Sequence, residues 1–427
     1  MSHADAAARP DDDGARSGPS GEVAASDLRL SRVVREQSGR IVGALARSFS
    51  SLDIAEEAVA EAVEEALRAW RKEGIPPNPG AWLTQAARRN ALDRVRREKR
   101  YREKLAGMVP AQDPTPSAPE ASSGEIDERL PLLFGCCHPA LAPEAQLALT
   151  LRAVCGLTTA QIARATFSTE PATAQRIVRA KRKIGATGIP LRIPDATDRA
   201  VRLDIVLTIV SVMYNEAHFV GGGDATADRD LADDAVWLAG VVAAALPREP
   251  EAHGLLALLL FHRARESARS VDGDLVLLVD QDRSSWDASL IARARVELER
   301  AARLHRPGRW QLQAAIAACH ADADTAAATD WRQVLVLYDL LLGYDASPVV
   351  RLNRAVALDQ VGAPAAALTE VDALERDLSR AHLWHAVRAH LLRRLGRDDE
   401  ALAADLRALE LTANEAERRL LAARTGR

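Results

Sequence analysis

Apolar positions recur at spacings of three and four along most of the chain, and strict alternation is almost absent. The pattern predicts an all-α protein. Between Asp53 and Trp70, Ile54, Val59, Val63, Leu67 and Trp70 supply the apolar positions, while Glu56, Glu57, Glu61, Glu64 and Glu65 supply an acidic face. Pro79-Gly80-Ala81-Trp82 then reads as a helix start, and Leu83, Ala87, Ala91 and Val95 form an inward stripe. Everything after about Arg199 is again helical in pattern, apart from an ambiguous strand-like Leu275–Val279.

The segment Pro143 to Ile184 predicts a helix-turn-helix. A supporting helix from Pro143 to Val154 is ended by Gly156. Thr158 and Gln161 have the spacing of a capping box for a short second helix, which carries Ile162 inward. Thr166-Phe167-Ser168 makes the turn, and Ser168 or Thr169 caps the last helix. On that helix Ala174, Ile177, Val178 and Ile184 are expected to pack. Gln175, Arg176, Arg179, Arg182 and Lys183 face outward, and Lys181 lies nearer the packed side. No acid occurs between Pro171 and Pro194. Arginine can bridge guanine O6 and N7, and glutamine can pair with adenine, so this face suits a major groove. A solvated basic face on an ordinary bundle is the alternative when the segment is taken alone.

Breaks in the pattern set the expected domains. Residues 1–25, with Asp11-Asp12-Asp13 and many Gly and Ser, read as a disordered tail. A helical block follows over 26–108. Pro110 to Gly124 holds four prolines and three serines, so 109–125 is expected to be a flexible linker. The helix-turn-helix block spans 126–192, and a helical extension spans 199–427, with Gly221-Gly222-Gly223 inside it. Near its end Ala355, Leu358, Gly362, Ala367 and Leu368 recur 34 residues later as Ala389, Leu392, Gly396, Ala401 and Leu402. That is the tetratricopeptide (TPR) period, and TPR-like repeats are expected near 349–420.

Composition and charge refine this picture. The chain has 427 residues, 48% hydrophobic and 27% charged, with a net charge of −4, so any nucleic-acid surface must be local. One local excess stands out: Arg88 to Lys104 holds nine Lys or Arg and three acids. Cys136, Cys137, Cys155 and Cys319 lack metal-ligand spacing and read as buried small hydrophobes in a reducing compartment; no metal or cofactor is expected. The N-terminus has no signal-peptide pattern, and the longest apolar runs are about half a membrane span. A cytoplasmic protein with no membrane partner is expected. No nucleophile–base pair points to an enzyme.

An acidic helix, a basic helix with Trp at its start, a Pro-rich linker and a helix-turn-helix, in that order, resemble the sigma-70 family of RNA polymerase sigma factors. The strings resemble the extracytoplasmic-function (ECF) class. Asp53-Ile-Ala-Glu-Glu-Ala-Val resembles its core-binding helix. Gly80-Ala-Trp-Leu-Thr-Gln-Ala-Ala-Arg-Arg-Asn-Ala-Leu-Asp93 resembles its promoter-melting helix, within region 2. Leu147-Ala-Leu-Thr-Leu-Arg, Gly156-Leu-Thr-Thr-Ala-Gln-Ile-Ala163 and Ala174-Gln-Arg-Ile-Val-Arg-Ala-Lys-Arg-Lys-Ile184 resemble region 4. Phe134-Gly-Cys-Cys-His-Pro-Ala-Leu141 and the extension resemble a subgroup with a C-terminal TPR-like domain. Ala60, Val63 and Ala172 stand where the family more often has Gln, Phe and Thr.

The resemblance implies an alternative sigma factor that binds core RNA polymerase and promoter DNA. Asp53, Glu57, Glu61 and Trp70 would lie on or under the polymerase surface. Arg88, Arg89, Asn90, Arg94 and Arg97 would meet the −10 element, with Asp93 organising the arginines. Thr159, Thr173, Gln175, Arg176, Arg179, Lys181 and Lys183 would meet the −35 element, with Arg176 the foremost base contact. A stand-alone helix-turn-helix regulator with a TPR sensor is the alternative, but it needs neither the acidic helix nor the second basic one. In the extension, Tyr214-Asn-Glu216 with His218, and Asp280-Gln-Asp-Arg283 with Trp286, read as helix caps and a buried polar network, or as a ligand or switch site. The extension is expected to control activity through a regulatory protein or an intramolecular contact.

Overall fold

A computed structural model describes residue 34 and residues 37–106, 127–166, 168–219, 231–271, 274–412 and 414–425. The expected tail, the linker, Phe167 and Gly221-Gly222-Gly223 lie outside the described residues, as do the side chains of Glu216 and His218. The fold is all-α. Among the described residues the one sheet is a two-stranded hairpin, Ser270–Val271 against Asp274–Leu275, so of the ambiguous stretch Leu275–Val279 only Leu275 lies in a strand.

Packing divides the chain into two units. The first holds the described residues up to Gly135 together with Leu149–Leu157 and Val178–Arg192. Its helices include α1 (residues 37–49), α2 (Leu52–Glu73), α3 (Pro79–Ala106) and most of α4 (Arg129–Cys136). Ser51 caps α2 by accepting from the Ile54 amide at 3.3 Å, and Gly74, at φ 82°, ends it. The buried face of α2 is Ala55, Ala58, Val59, Ala62, Ala66 and Trp70, whereas Ile54, Val63 and Leu67 are only half-buried. Alanines at this spacing let α3 approach closely with Leu83, Ala87 and Ala91. Helix α1 also makes close approaches: a Cβ on Gly39 would stand 2.4 Å from the Val154 carbonyl oxygen, and one on Gly43 would stand 2.3 Å from that of Glu128.

The second unit holds Cys136–Ala148, Thr158–Ile177 and the chain from Ile193 onward. The helices of its extension begin with α8 (Ala196–Phe219), α9 (Leu231–Ala245) and α10 (Pro250–Ala264). Leu255 to Phe261 are all buried, so α10 is the hydrophobic centre, enclosed by its neighbours rather than amphipathic. Helices α11 (Ala288–Arg303) and α12 (Arg309–Ala321) pack on it. Glu251 on α10 caps α12 from a distance, accepting from the Trp310 amide at 2.8 Å and the Gln311 amide at 3.2 Å. Helix α13 (Trp331–Leu341) leads to two helix pairs, α14 (Pro348–Gln360) with α15 (Pro364–Asp372), and α17 (His382–Arg394) with α18 (Asp398–Leu411). Equivalent helices start 34 residues apart. Gly362 and Gly396 take φ 95° and 71° at the two turns, the left-handed region glycine tolerates. The repeated Ala355, Ala389, Ala367 and Ala401 are wholly buried in one apolar cluster with Trp384. The short α16 (Glu375–Leu378) and the final α19 (Glu415–Thr425) complete the extension.

Candidate nucleic-acid interface

The helix-turn-helix forms on the local signals its sequence carries. Helix α5 spans Pro143–Ala153 and is followed by Gly156 at φ 72°. Thr158 caps α6 (Thr159–Ala165) through a reciprocal capping box: the Gln161 amide donates to Thr158 Oγ1 at 3.2 Å, and the Thr158 amide donates to Gln161 Oε1 at 2.9 Å. Thr169 caps α7 (Glu170–Thr187), accepting from the Ala172 amide.

The phase of α7 differs slightly from the sequence expectation. Its buried stripe is Thr173, Ile177, Ala180 and Ile184. Val178, expected to pack, is 52% exposed, because the three- and four-residue steps from Thr173 pass over it. Thr173 is fully buried, so in this conformation its hydroxyl is not offered to DNA. Gln175, Arg179 and Lys183 are exposed, while Arg176 and Thr159 are half-buried.

Lys181 sits on the flank of the buried stripe. Its ammonium lies 2.9 Å from Asp53 Oδ1 and 2.8 Å from Glu56 Oε2, both on α2. Arg152 stands 3.6 Å from the same Glu56 carboxylate. The Lys181 and Glu56 side chains are only 14% and 11% exposed, so this is a largely desolvated pair. Burial opposes the charge on Lys181, yet Glu56 and Asp53 outweigh it and hold the ammonium above the usual lysine range. Periodicity marked Lys181 as lying toward the packed side but could not name its partners.

Two further sets of candidate residues, those assigned to polymerase and those assigned to the −10 element, interlock across α2 and α3. Arg94 bonds Glu61 at 3.0 Å and also pairs with Glu57. Glu65 accepts from Arg89 at 2.5 Å and from Asn90 at 3.0 Å. Asn90 is therefore buried, while Arg88 and Arg97 stay exposed. Asp93 lies 3.6 Å from Arg96, and its carbonyl accepts from Arg97 Nε at 3.4 Å. Trp70 is buried edge-on to Trp82, with ring centroids 5.4 Å apart. Tyr101, not anticipated from sequence, is 66% exposed and borders a surface depression with Arg94 and Arg97. An exposed aromatic among arginines is the signal that could have found it.

In the extension, the Asp280–Trp286 motif forms a capping network. Asp282 opens a 3-10 turn, Arg283–Ser285, by accepting from the Ser284 amide and hydroxyl at 2.9 and 2.7 Å. Those bonds hold its carboxyl below the usual carboxylate range. The Arg283 guanidinium donates to the carbonyls of His320 and Ala323 at 2.5 and 2.8 Å and to Thr329 Oγ1 at 3.2 Å. It thereby closes the C-terminal end of α12, where a cation is favoured. Asp330 caps α13, accepting from the Gln333 amide at 3.0 Å. The four cysteines are buried, and no disulfide joins them. No helix among the described residues is long and apolar enough to cross a membrane.

Comparison with known proteins agrees with this geometry. Residues 33–101 match the family Sigma-70 region 2, and residues 132–184 match Sigma-70, region 4. Residues 202–302 match a family of unknown function (DUF6596). An uncharacterised protein of Rhizobium meliloti (strain 1021) is 42% identical over 381 residues, covering 88% of this chain and 90% of that protein. The chain belongs to the sigma-70 family, as an ECF-type sigma factor with a C-terminal extension. Its role is promoter recognition, with core RNA polymerase and promoter DNA as partners.

Proposed function

We propose that the protein is an alternative sigma factor that delivers core RNA polymerase to promoters through two DNA contacts, and whose helical extension governs when it does so. The reading is carried by the joining of an acidic helix, α2, to a basic helix, α3, in one chain with a capped helix-turn-helix. A free-standing regulator needs only the last of these. Asp53, Glu57 and Glu61 on α2, over the buried Trp70, form the polymerase-facing surface. Arg88 and Arg97 meet phosphates at the −10 element, Arg89, Asn90 and Arg94 shape that face through Glu65 and Glu61, and Tyr101 supplies a ring on which an unpaired base can stack. Thr159, Gln175, Arg176, Arg179 and Lys183 meet the −35 duplex, Arg176 reading a base and the others setting register.

The engagement of Asp53 and Glu56 by Lys181 supports a closed state in which part of the polymerase surface is occupied. Opening would release Lys181 to the −35 element and α2 to polymerase together. The action is non-enzymatic and cytoplasmic, and the 34-residue helix pairs support a TPR-like scaffold for a regulatory contact. Purified protein mixed with core polymerase and a promoter library tests the reading. Co-elution with the core and initiation at defined start sites are expected; DNA binding without either would return the protein to the class of free-standing regulators.

A further inference from the structure

The extension contains a cavity of about 520 Å³, within the size range of small-molecule sites. Helices α8, α10, α12, α13 and α14 and the segment around Trp286 all contribute to its wall. Phe261, Trp286, Trp310 and Tyr338 make that wall strongly aromatic. Trp286 and Trp310 are 7% and 5% exposed, and their indole N–H groups have no acceptor among the described residues. A buried N–H without an acceptor is costly, and a ligand carrying acceptors relieves that cost.

The charges of the wall are unbalanced. Arg309 is matched outside it, bonding Asp204 and Thr208 while its guanidinium lies 4.5 Å over the Trp310 ring. Asp345 is the acid of the wall, and its carboxylate accepts from the Ser347 amide at 3.0 Å. Arg265, at the C-terminal end of α10, has no carboxylate partner among the described residues. Burial, then the neighbouring Arg269, pushes its guanidinium down to about 10, below the usual arginine range. A partly buried cation of this kind attracts an anion, and low polarity around it strengthens the bond.

We propose that this cavity binds a small organic anion with a flat aromatic body, its carboxylate-like group held by Arg265 and its ring stacked among Trp286, Trp310 and Phe261. The inference goes beyond the sigma-factor reading and does not rest on it, since its test reads binding and not transcription. The cavity would make the extension a receptor for a metabolite-sized signal.

The test uses the full-length protein, 2-naphthoate as probe and 2-naphthamide as its neutral match, followed by calorimetry and tryptophan fluorescence. Saturable one-to-one binding of 2-naphthoate with tryptophan quenching is expected, with the amide weaker by about tenfold. Arg265→Gln should weaken 2-naphthoate about tenfold and leave the amide unchanged. Ala317→Trp, which adds a ring to the cavity wall, should abolish binding of both. Absence of saturable binding, equal affinity for acid and amide, or undiminished binding by a folded Arg265→Gln or Ala317→Trp protein would overturn the proposal. If circular dichroism shows either variant unfolded, the acid–amide comparison on the unaltered protein decides.

Discussion

Lys181 and Asp53, separated by 128 residues in sequence, are joined by a 2.9 Å hydrogen bond between ammonium and carboxylate. The same ammonium holds Glu56 at 2.8 Å. One residue of the helix assigned to DNA thus bridges two acids of the helix assigned to polymerase.

If that clasp competes with polymerase, removing it should favour docking. Lys181→Ala is expected to raise affinity for core polymerase several-fold, by roughly 1 kcal/mol after the freed acids regain water. Surface plasmon resonance on immobilised core enzyme measures it. A Lys181→Ala protein that binds more weakly than the unaltered chain would mean that the pair supports the docking conformation instead.

Arg176 is half-buried on α7 beside exposed Gln175 and Arg179, on the face proposed to read the −35 element. Arg176→Ala should cost about 1–3 kcal/mol at promoters with an intact −35 element, with core binding unchanged. Run-off transcription on templates with and without that element separates base reading from general affinity. Equal use of both templates by mutant and wild type would count against the assigned face.

Arg283 supplies charged donors to the His320 carbonyl in the last turn of α12 and to the Ala323 carbonyl just beyond it, and stands 5.2 Å over the Trp286 ring. Arg283→Met keeps the stem and deletes these bonds. A loss of about 2–3 kcal/mol from the extension is expected, read as a lower melting temperature in calorimetry. A shift no larger than that of an exposed-surface change would show that water replaces the guanidinium without cost.

His320 gives a pH signature. Burial first, then Arg283 and Arg265, push its imidazole down to about 4 from an ordinary 6.5. As pH falls through that window the unfolded chain gains a proton that the folded one refuses, so stability falls and then levels off below about 4. Between about pH 7 and about pH 5 the loss from this residue is on the order of 2 kcal/mol. Thermal melts of the unaltered protein and of His320→Gln across that range should therefore converge toward the acid end, and parallel curves would refute the assignment.

The local chemistry of the chain was legible wherever a structure closes within a few residues. The Thr158–Gln161 capping box, the ends at Gly156 and Pro143, and the 34-residue recurrence of Gly362 as Gly396 were all readable, because each depends on neighbours along one helix or turn. The reading of Asp282 and Arg283 as caps and polar network was legible in kind, though the carbonyls that Arg283 serves lie 37 and 40 residues away.

Periodicity set the all-α class and, with the caps and the 34-residue recurrence, the helix-turn-helix and the paired helices, since a repeat of 3.6 residues is a property of consecutive side chains. It could not set the fine rotation of α7, where a small change of phase left Val178 in solvent and buried Thr173. Nor could it place Lys181 against Asp53 and Glu56, match Arg94 to Glu57 and Glu61, or leave Arg265 without a carboxylate among aromatic rings. Those outcomes belong to the packing of helices far apart in sequence. Which charges meet, and which are stranded beside a cavity, is decided only when the surfaces close and water leaves.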